Sequence, residues 1–312
     1  MKQGKIVVVM GGPSSEAEVS RRTGAAIVSA LESKGYAVEG MELDPPNFAE
    51  AIRKSDCAIV FNALHGRYGE DGVLQGTLDM LGIPYTGSGV LAAAVTMDKV
   101  MSKRVFLGAG ISTPRSETFH RFEFDAKLSS RIRKAFSLPV VIKASSQGSS
   151  IGVAIVEKEE ELEAALKDAF RYDEEVLVEE FIRGKELTVA VWGDAREAQA
   201  FPVIEITTVS GRYDYASKYT KGASTHIIPA RIPSEVTERV QQLAVDAFRA
   251  CGCRGVARAD MMLGEDMTPY VIEINSMPGM TETSLVPDAG RAMGVEFPEL
   301  CERILEMAGY EK

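Results

Sequence analysis

Residues 255–285, GVARADMMLGEDMTPYVIEINSMPGMTETSL, constrain this chain more than any other stretch. Two apolar runs flank the turn Gly264-Glu265-Asp266, the pattern of a β-hairpin. Side chains alternate along a strand, so Arg258 and Asp260 share one face of the first run, and Glu273 and Asn275 share one face of the second. The opposite faces carry Ala257, Ala259, Met261 and Leu263, then Ile272 and Ile274. If the polar faces coincide, two acids, an amide and a guanidinium converge above an apolar sheet. Asp, Glu and Asn offer only oxygen, which suits Mg²⁺ or Mn²⁺ and suits zinc poorly. A short set of protein ligands leaves room for phosphate oxygens, and Arg258 adds positive charge where an oxyanion develops. The structural alternative is a salt-bridged polar sheet face. The i,i+2 pairs on both runs, followed at once by Met277-Pro278-Gly279-Met280-Thr281, favour a site.

Length and charge narrow the classes. A chain of 312 residues should hold two or three lobes around sizeable cores. A formal net charge of −10 argues against a nucleic-acid or anionic-membrane surface, although not against a local cationic pocket. Cys57, Cys251, Cys253 and Cys301 give neither a disulfide framework nor zinc spacing, and reduced thiols fit the cytoplasm. Cys251-x-Cys253 reads as a helix end beside a turn. The apolar run Ile6–Met10 is too short for a signal peptide, and no run reaches the length of a membrane span.

From the N-terminus the chain reads strand, helix, strand, helix, strand, a doubly wound α/β pattern. Ile6–Met10 is a buried parallel strand. Gly11-Gly12-Pro13-Ser14 is a tight turn, and Ser15 with Glu18 has the spacing of a capping box. Val19, Thr23, Ala26, Ile27, Ala30 and Leu31 form the helix's buried stripe, which Gly35 ends. Strands follow at 36–43 and 57–64. Ligands in such sheets bind beyond the carboxyl ends of strands, where Glu16 and His65 fall. Glu16 also reads as a first-turn acid complementing the helix dipole, and His65 as a loop histidine bonded to backbone.

Residues 72–81 predict a helix, 83–87 a short strand and 91–107 a helix carrying Lys99. Residues 108–114 predict a boundary into a second lobe. Strands at 138–144, ending beside Lys143, and at 151–156 flank Ser145-Ser146-Gln147-Gly148-Ser149-Ser150. This loop of small polar residues can fold its N–H groups over phosphates or be a flexible connector. A helix at 157–171 and strands at 175–181, 186–192 and 198–207 follow. Residues 208–225, TVSGRYDYASKYTKGAST, are too long and polar for a buried connector, and three tyrosines argue against simple disorder. Residues 234–250 predict a helix, and residues from 287 onward are helical with breaks near Gly294 and Pro298.

Metal acids, lysines and a Gly/Ser loop point to a nucleoside triphosphate, yet there is no Walker A motif, no kinase signature and no G-x-G-x-x-G. Clamping between two antiparallel sheets remains. At this point the chain resembles the D-alanine–D-alanine ligases of the ATP-grasp family over nearly its whole length. The matching motifs are GGPSSEAEVS (11–20), ALHGRYGEDGVLQG (63–76), YTGSGVLAAAVTMDK (85–99), QGSSIGV (147–153), YDYASKY (213–219), GVARADMML (255–263) and EINSMPGMTETSLVP (273–287).

The resemblance implies an α/β ATP-grasp fold with an N-terminal doubly wound pre-ATP-grasp lobe (1–96), a central lobe (97–182) and a C-terminal lobe (183–312) with a lid at 208–225. It implies ATP and two D-alanines as substrates, two Mg²⁺ or Mn²⁺ ions, a D-alanyl phosphate intermediate, a cytoplasmic role in peptidoglycan synthesis and a homodimer. By position, Asp260, Glu273 and Asn275 resemble the metal ligands, and Lys99 and Lys143 the lysines on the ATP phosphates. Glu179, Glu180 and Ile182 sit where the family contacts adenine, and Glu186 where it holds the ribose. Arg258 and the Gly279 N–H resemble the oxyanion site. Glu16 resembles the residue on the first D-alanine's ammonium, with His65 nearby, and Ser284 and Leu285 the site for the second carboxylate. Glu16, Ser149 and Tyr219 resemble a hydrogen-bonded trio, and Lys218 the lysine reaching the transferred phosphate. Tyr219 is the residue of dipeptide-forming members, where ester-forming relatives tend to carry phenylalanine.

Two departures stand out. Glu180 replaces a common lysine, and Lys143-Ala144-Ser145-Ser146-Gln147 lacks the family's usual Pro and Arg-Glu. The rival readings are a ligase using D-lactate or D-serine as second substrate, and a nucleotide-binding regulator without turnover.

Overall fold

The computed structural model describes residues 4–125, 127–148, 151–208, 223–281 and 284–310. Strands β1 (Lys5–Met10), β2 (Val38–Glu42) and β3 (Cys57–Asn62) form a parallel sheet in the order β2-β1-β3, interleaved with helices α1 (Ala17–Ser33) and α2 (Phe48–Lys54). This is the doubly wound pattern predicted from the apolar runs. Val7, Val8 and Val9 are completely buried because both faces of β1 are covered. One face packs with Leu43, Phe48, Ile52 and Tyr85. The other joins α1 and the C-terminal helices in one core with Val286, Leu300 and Ile304.

The central sheet has the order β4-β7-β5-β6, from β4 (Ser116–His120), β5 (Val140–Ala144), β6 (Val153–Val156) and β7 (Glu175–Glu180), all antiparallel. Helices α6 (Leu128–Ala135) and α7 (Leu162–Ala169) cover it with Leu128, Ile132, Leu162 and Leu166. The third sheet has the order β11-β10-β8-β12-β13, with β9 (Gln199–Ala200) on β8. Its strands are β8 (Gly184–Gly193), β10 (Ile204–Thr208), β11 (Ser224–Ile227), β12 (Gly255–Gly264) and β13 (Pro269–Asn275). Helix α8 (Ser234–Ala250) buries Val236, Val240, Ala244 and Phe248 against it. Each of the valine and phenylalanine side chains contributes about 1.5–3 kcal/mol relative to exposure. The chain ends in α9 (Leu285–Ala292) and α10 (Phe297–Glu306).

Several elements differ from the sequence reading. No capping box forms at Ser15 and Glu18: α1 starts at Ala17 with Glu16 as N-cap, and the Glu16 N–H donates to Ser14 Oγ at 3.1 Å. Val19 and Ala26 are only half-buried, and Ser20 and Gly24 take their places in the stripe. The expected strand at 83–87 is reduced to isolated bridges from Tyr85 to Val60 and Gly309. The single helix expected at 91–107 is two, α4 (Val90–Met97) and α5 (Lys99–Gly108), separated by Asp98 in extended conformation. The strand expected at 198–207 is split into β9 and β10 around Pro202, which has no N–H for the ladder. The helix expected at 157–171 is a 3₁₀ turn at Glu159–Glu161 followed by α7. The terminal helix begins at Leu285, earlier than expected, and Ser224 and Thr225 belong to β11.

Candidate active site

The hairpin register brings the predicted residues together. Arg258 lies opposite Asn275 and Asp260 opposite Glu273, with a bulge after Asp260. Arg258 grips Asp260 through two hydrogen bonds of 2.7 Å, Nε to Oδ1 and Nη2 to Oδ2, and Thr188 Oγ1 donates to Oδ1 at 2.6 Å. Asp260 therefore fixes the direction of the guanidinium. Asn275 Oδ1 accepts from the Met277 N–H at 3.0 Å, turning the chain toward Gly279. A Cβ on Gly279 would stand 3.0 Å from Ser284 Oγ, so the approach of these two segments favours glycine. Ser284 Oγ in turn accepts from the Thr281 N–H at 3.0 Å.

From the N-terminal sheet, the turn after β1 and the end of β3 are tied together by buried Ser20. Its Oγ accepts from Gly11 N at 2.7 Å and donates to Ala63 O at 2.8 Å. This fixes Glu16 beside the loop that carries His65 and Glu70. His65 is buried, with Nε2 3.1 Å from Thr23 Oγ1. Burial pushes its pKa down, Arg258 adds to this and Glu16 opposes it, so the imidazole is neutral. Glu70 accepts the Gly66 N–H at 2.7 Å, and burial, reinforced by Glu16, pushes its carboxyl up to about 8. The Glu16 carboxylate reaches both lobes: Cβ atoms on Gly66 and Gly148 would lie 3.0 and 3.2 Å from its Oε2.

The α4–α5 break has a function in this geometry. Asp98 caps α5 by accepting the Met101 N–H at 3.0 Å and also accepts from Ser145 Oγ at 2.9 Å. The Lys99 N–H donates to Ser145 O at 2.9 Å. The start of α5 is thus sewn to the end of β5. Lys99 Nζ then donates to Gln147 O at 2.7 Å and lies 3.5 Å from Glu273 Oε2.

These parts enclose a cavity of about 390 Å³. Of the residues predicted from sequence, Glu16, His65 and Lys99 line it from one side. Arg258, Glu273, Asn275, Gly279, Ser284 and Leu285 line it from the other. Asp260 stands behind Arg258. Lys143 and Glu179 pair at 2.5 Å between neighbouring strands β5 and β7. Glu180 Oε1 accepts the Arg115 N–H at 2.8 Å, so this departure from the family's lysine is used as a local clasp. Ile182 and Glu186 lie on either side of the turn into β8. Ser149, Lys218 and Tyr219, with most of the expected lid, lie outside the described residues.

Sequence reading missed Glu70, Gln147, Thr188 and Lys103. Glu70 sits in a Gly-flanked turn, a signal that was available. Lys103 is one helical turn beyond Lys99. Among the described residues, no cluster of three or more His, Cys, Asp or Glu forms a metal site, and no helix is long and apolar enough to cross a membrane. Glu273 and Asn275 facing the cavity, with Asp260 across the ladder, remain an oxygen-only donor set that fits a hard divalent cation.

A parallel three-stranded sheet followed by two antiparallel sheets, with Lys143 on one and Asp260 and Glu273 on the other, is the ATP-grasp fold. Models of the D-ala D-ala ligase N-terminus and C-terminus match residues 37–88 and 105–306. The D-alanine–D-alanine ligase of Desulforudis audaxviator is 49% identical over 305 residues, spanning 97% of this chain and 98% of its own. That of Moorella thermoacetica is 48% identical over 307 residues, spanning 97% and 99%. The crystal structure of the Bacillus anthracis D-alanine–D-alanine ligase complexed with ATP superposes with a TM-score of 0.84 at 34% identity, over 98% of this chain and 97% of that one. The VanG D-Ala:D-Ser ligase of Enterococcus faecalis gives 0.83 at 31% identity, over 98% and 99%. The chain belongs to the D-alanine–D-alanine ligase family.

Proposed function

We propose that this chain joins two D-alanines to D-alanyl-D-alanine at the expense of ATP, through a D-alanyl phosphate, for peptidoglycan synthesis. The observation that carries this is the cavity lined by Glu16 and His65 together with Arg258, Glu273 and Gly279, with Lys99 beside Glu273. An ammonium fits the acidic side at Glu16. A neutral His65 beside it accepts or donates a hydrogen bond without repelling that ammonium. The carboxylate of the first D-alanine is then directed toward Lys99 and Arg258, where it attacks the terminal phosphorus of ATP and ADP departs. The second D-alanine, its carboxylate at Ser284 and Leu285, attacks the acyl phosphate with its amine. Arg258, held by Asp260, and the Gly279 N–H stabilise the oxyanion that forms, and phosphate leaves.

In this reading Lys143 and Lys99 hold the phosphates, Glu179, Glu180 and Ile182 the adenine, and Glu186 the ribose. Asp260, Glu273 and Asn275 would hold two Mg²⁺ or Mn²⁺ ions, which neutralise phosphate charge during transfer. Ser149, Tyr219 and Lys218 complete the site, within lobes at 1–96, 97–182 and 183–312. A cytoplasmic homodimer accompanies the reading, without nucleic-acid or membrane partners.

Phosphate release with a panel of D-amino and D-hydroxy acids tests it. D-alanine alone should support turnover, and mass spectrometry should find the dipeptide as main product when D-lactate or D-serine competes. A dominant depsipeptide or a mixed D-Ala–D-Ser product overturns the choice of second substrate. No D-amino-acid-dependent ADP release at all favours a regulator.

A further inference from the structure

Lys103 lies on α5, one turn beyond Lys99, and is only 3% exposed. Its ammonium donates to Thr113 Oγ1 at 2.6 Å and to Pro114 O at 3.0 Å, and lies 2.6 Å from Glu179 Oε1. Thr113 Oγ1 itself donates to Val271 O at 2.7 Å, so it can only accept from Lys103. The Val271 N–H donates to Ser112 O at 2.8 Å. Lys103 is thereby tethered to β13, two residues before Glu273.

Glu179 is 1% exposed and sits between Lys103 and Lys143, whose Nζ is 2.5 Å from Oε2. Lys103 closes on Oε1 and Lys143 on Oε2, so each carboxylate oxygen faces one cation and keeps a second lone pair. A buried carboxylate with opposite charges close by and a spare lone pair is built to receive a donor.

We propose that Lys103 is a specificity-determining positioning residue for the nucleotide base: it keeps Glu179 a pure acceptor, matched to the exocyclic amine of adenine and mismatched to the carbonyl of hypoxanthine. This rests on the reading of Glu179 as an adenine contact. Lys143 cannot fill the role alone, because the same reading assigns it to the phosphates. Lys103, with its two further acceptors, stays in place when Lys143 turns away. Burial raises the Glu179 pKa, but Lys143 and then Lys103 outweigh it and hold the carboxyl below its ordinary value. Burial lowers that of Lys103, with Glu179 opposing, Lys143 assisting and Glu180 opposing more weakly. Without Lys103, Glu179 takes up a proton more readily, and a carboxylic acid can donate to the hypoxanthine carbonyl.

The test compares ATP with ITP in steady-state turnover of the full chain and its variants Lys103→Met, Thr113→Val and Glu179→Gln. Lys103→Met should raise KM for ATP about tenfold or more, with kcat changed about threefold at most, and lower the ATP:ITP ratio of kcat/KM about tenfold. Thr113→Val, which loosens Lys103 and leaves Glu179 intact, should move the ratio the same way by a smaller factor, and decides the matter if Lys103→Met does not fold. Glu179→Gln, whose amide can both accept and donate, should collapse the ratio. If Glu179→Gln lowers the ratio and the other two variants leave it unchanged, or lower kcat equally for both nucleotides, the role of Lys103 is overturned and the adenine reading stands. If Glu179→Gln also leaves the ratio unchanged, the adenine reading itself fails.

Discussion

At one end of the site two lysines, Lys103 and Lys143, close on the single carboxylate of Glu179. At the other, Glu16, Glu70, Glu273 and Asp260 gather around Arg258 and Lys99. Glu179 is buried and Glu70 half-buried, so both ends impose a cost on charge. The outcome differs because two lysines close directly on Glu179, whereas burial of Glu70 is reinforced by Glu16. Where cations outnumber acids, Glu179 stays ionised despite burial. Where burial acts and Glu16 reinforces it, Glu70 holds its proton up to about 8. Burial alone does not set the state of a carboxyl. Opposite charges in direct contact, as at Glu179, can outweigh it.

The largest effect should come from removing an acid that lines the cavity. Glu273→Gln keeps the shape of the β13 side chain and should lower kcat on the order of 10²-fold or more, with little change in circular dichroism. Near-normal turnover at ordinary Mg²⁺ would break the account of the acidic end.

Next, the cationic end should fail through stability. Glu179→Leu leaves two buried lysines without their partner and should cost about 3–5 kcal/mol in denaturant unfolding. A loss below about 1 kcal/mol, the ordinary value of an exposed pair, would show that the cluster is not a buried one.

The pH dependence sharpens the contrast. Glu70 has a raised pKa in the fold, so its contribution to stability is complete below the unfolded value near 4.5 and is lost as pH rises toward about 8. Glu70→Gln should therefore gain stability relative to the parent across that window, on the order of a few kcal/mol at most, and level off above it. Glu179 has a lowered pKa, so its contribution is present above the unfolded value and is lost as pH falls below it. Glu179→Gln should lie below the parent at neutral pH, and the gap should close in acid. Parallel pH profiles for the two variants would refute the comparison.

The smallest effect concerns how Lys99 is delivered between the two ends. Asp98→Ala removes the cap of α5 and the acceptor of Ser145 Oγ, and should cost about 1–2 kcal/mol with a higher KM for ATP. Unchanged KM would mean that the helix break does not position Lys99.

The legible parts of this site are those whose geometry is a period. Arg258, Asp260, Glu273 and Asn275 could be placed on one face from sequence because β12 and β13 alternate strictly up to the bulge. The apolar runs of β1 and β3 likewise announced the parallel sheet. What stayed hidden depends on contacts between distant segments. No Gly or Pro marks the break at Asp98, where Ser145, 47 residues further along the chain, bonds that carboxylate. Lys103 reads as one more charged residue on a helix until Glu179 and Thr113 are brought against it. The Ser15 and Glu18 spacing misled because the turn after β1 is held by Ser20 and Ser14 instead. Pro202, by contrast, was a legible signal for the split between β9 and β10.

The central claim is that the cavity activates a carboxylate by phosphorylating it. D-alanine carrying a heavy-oxygen label in its carboxylate tests this directly, with mass spectrometry of the phosphate released during turnover. The account predicts one labelled oxygen in each phosphate, transferred from the carboxylate when the acyl phosphate is attacked by the second amine. Unlabelled phosphate alongside full dipeptide formation would contradict it.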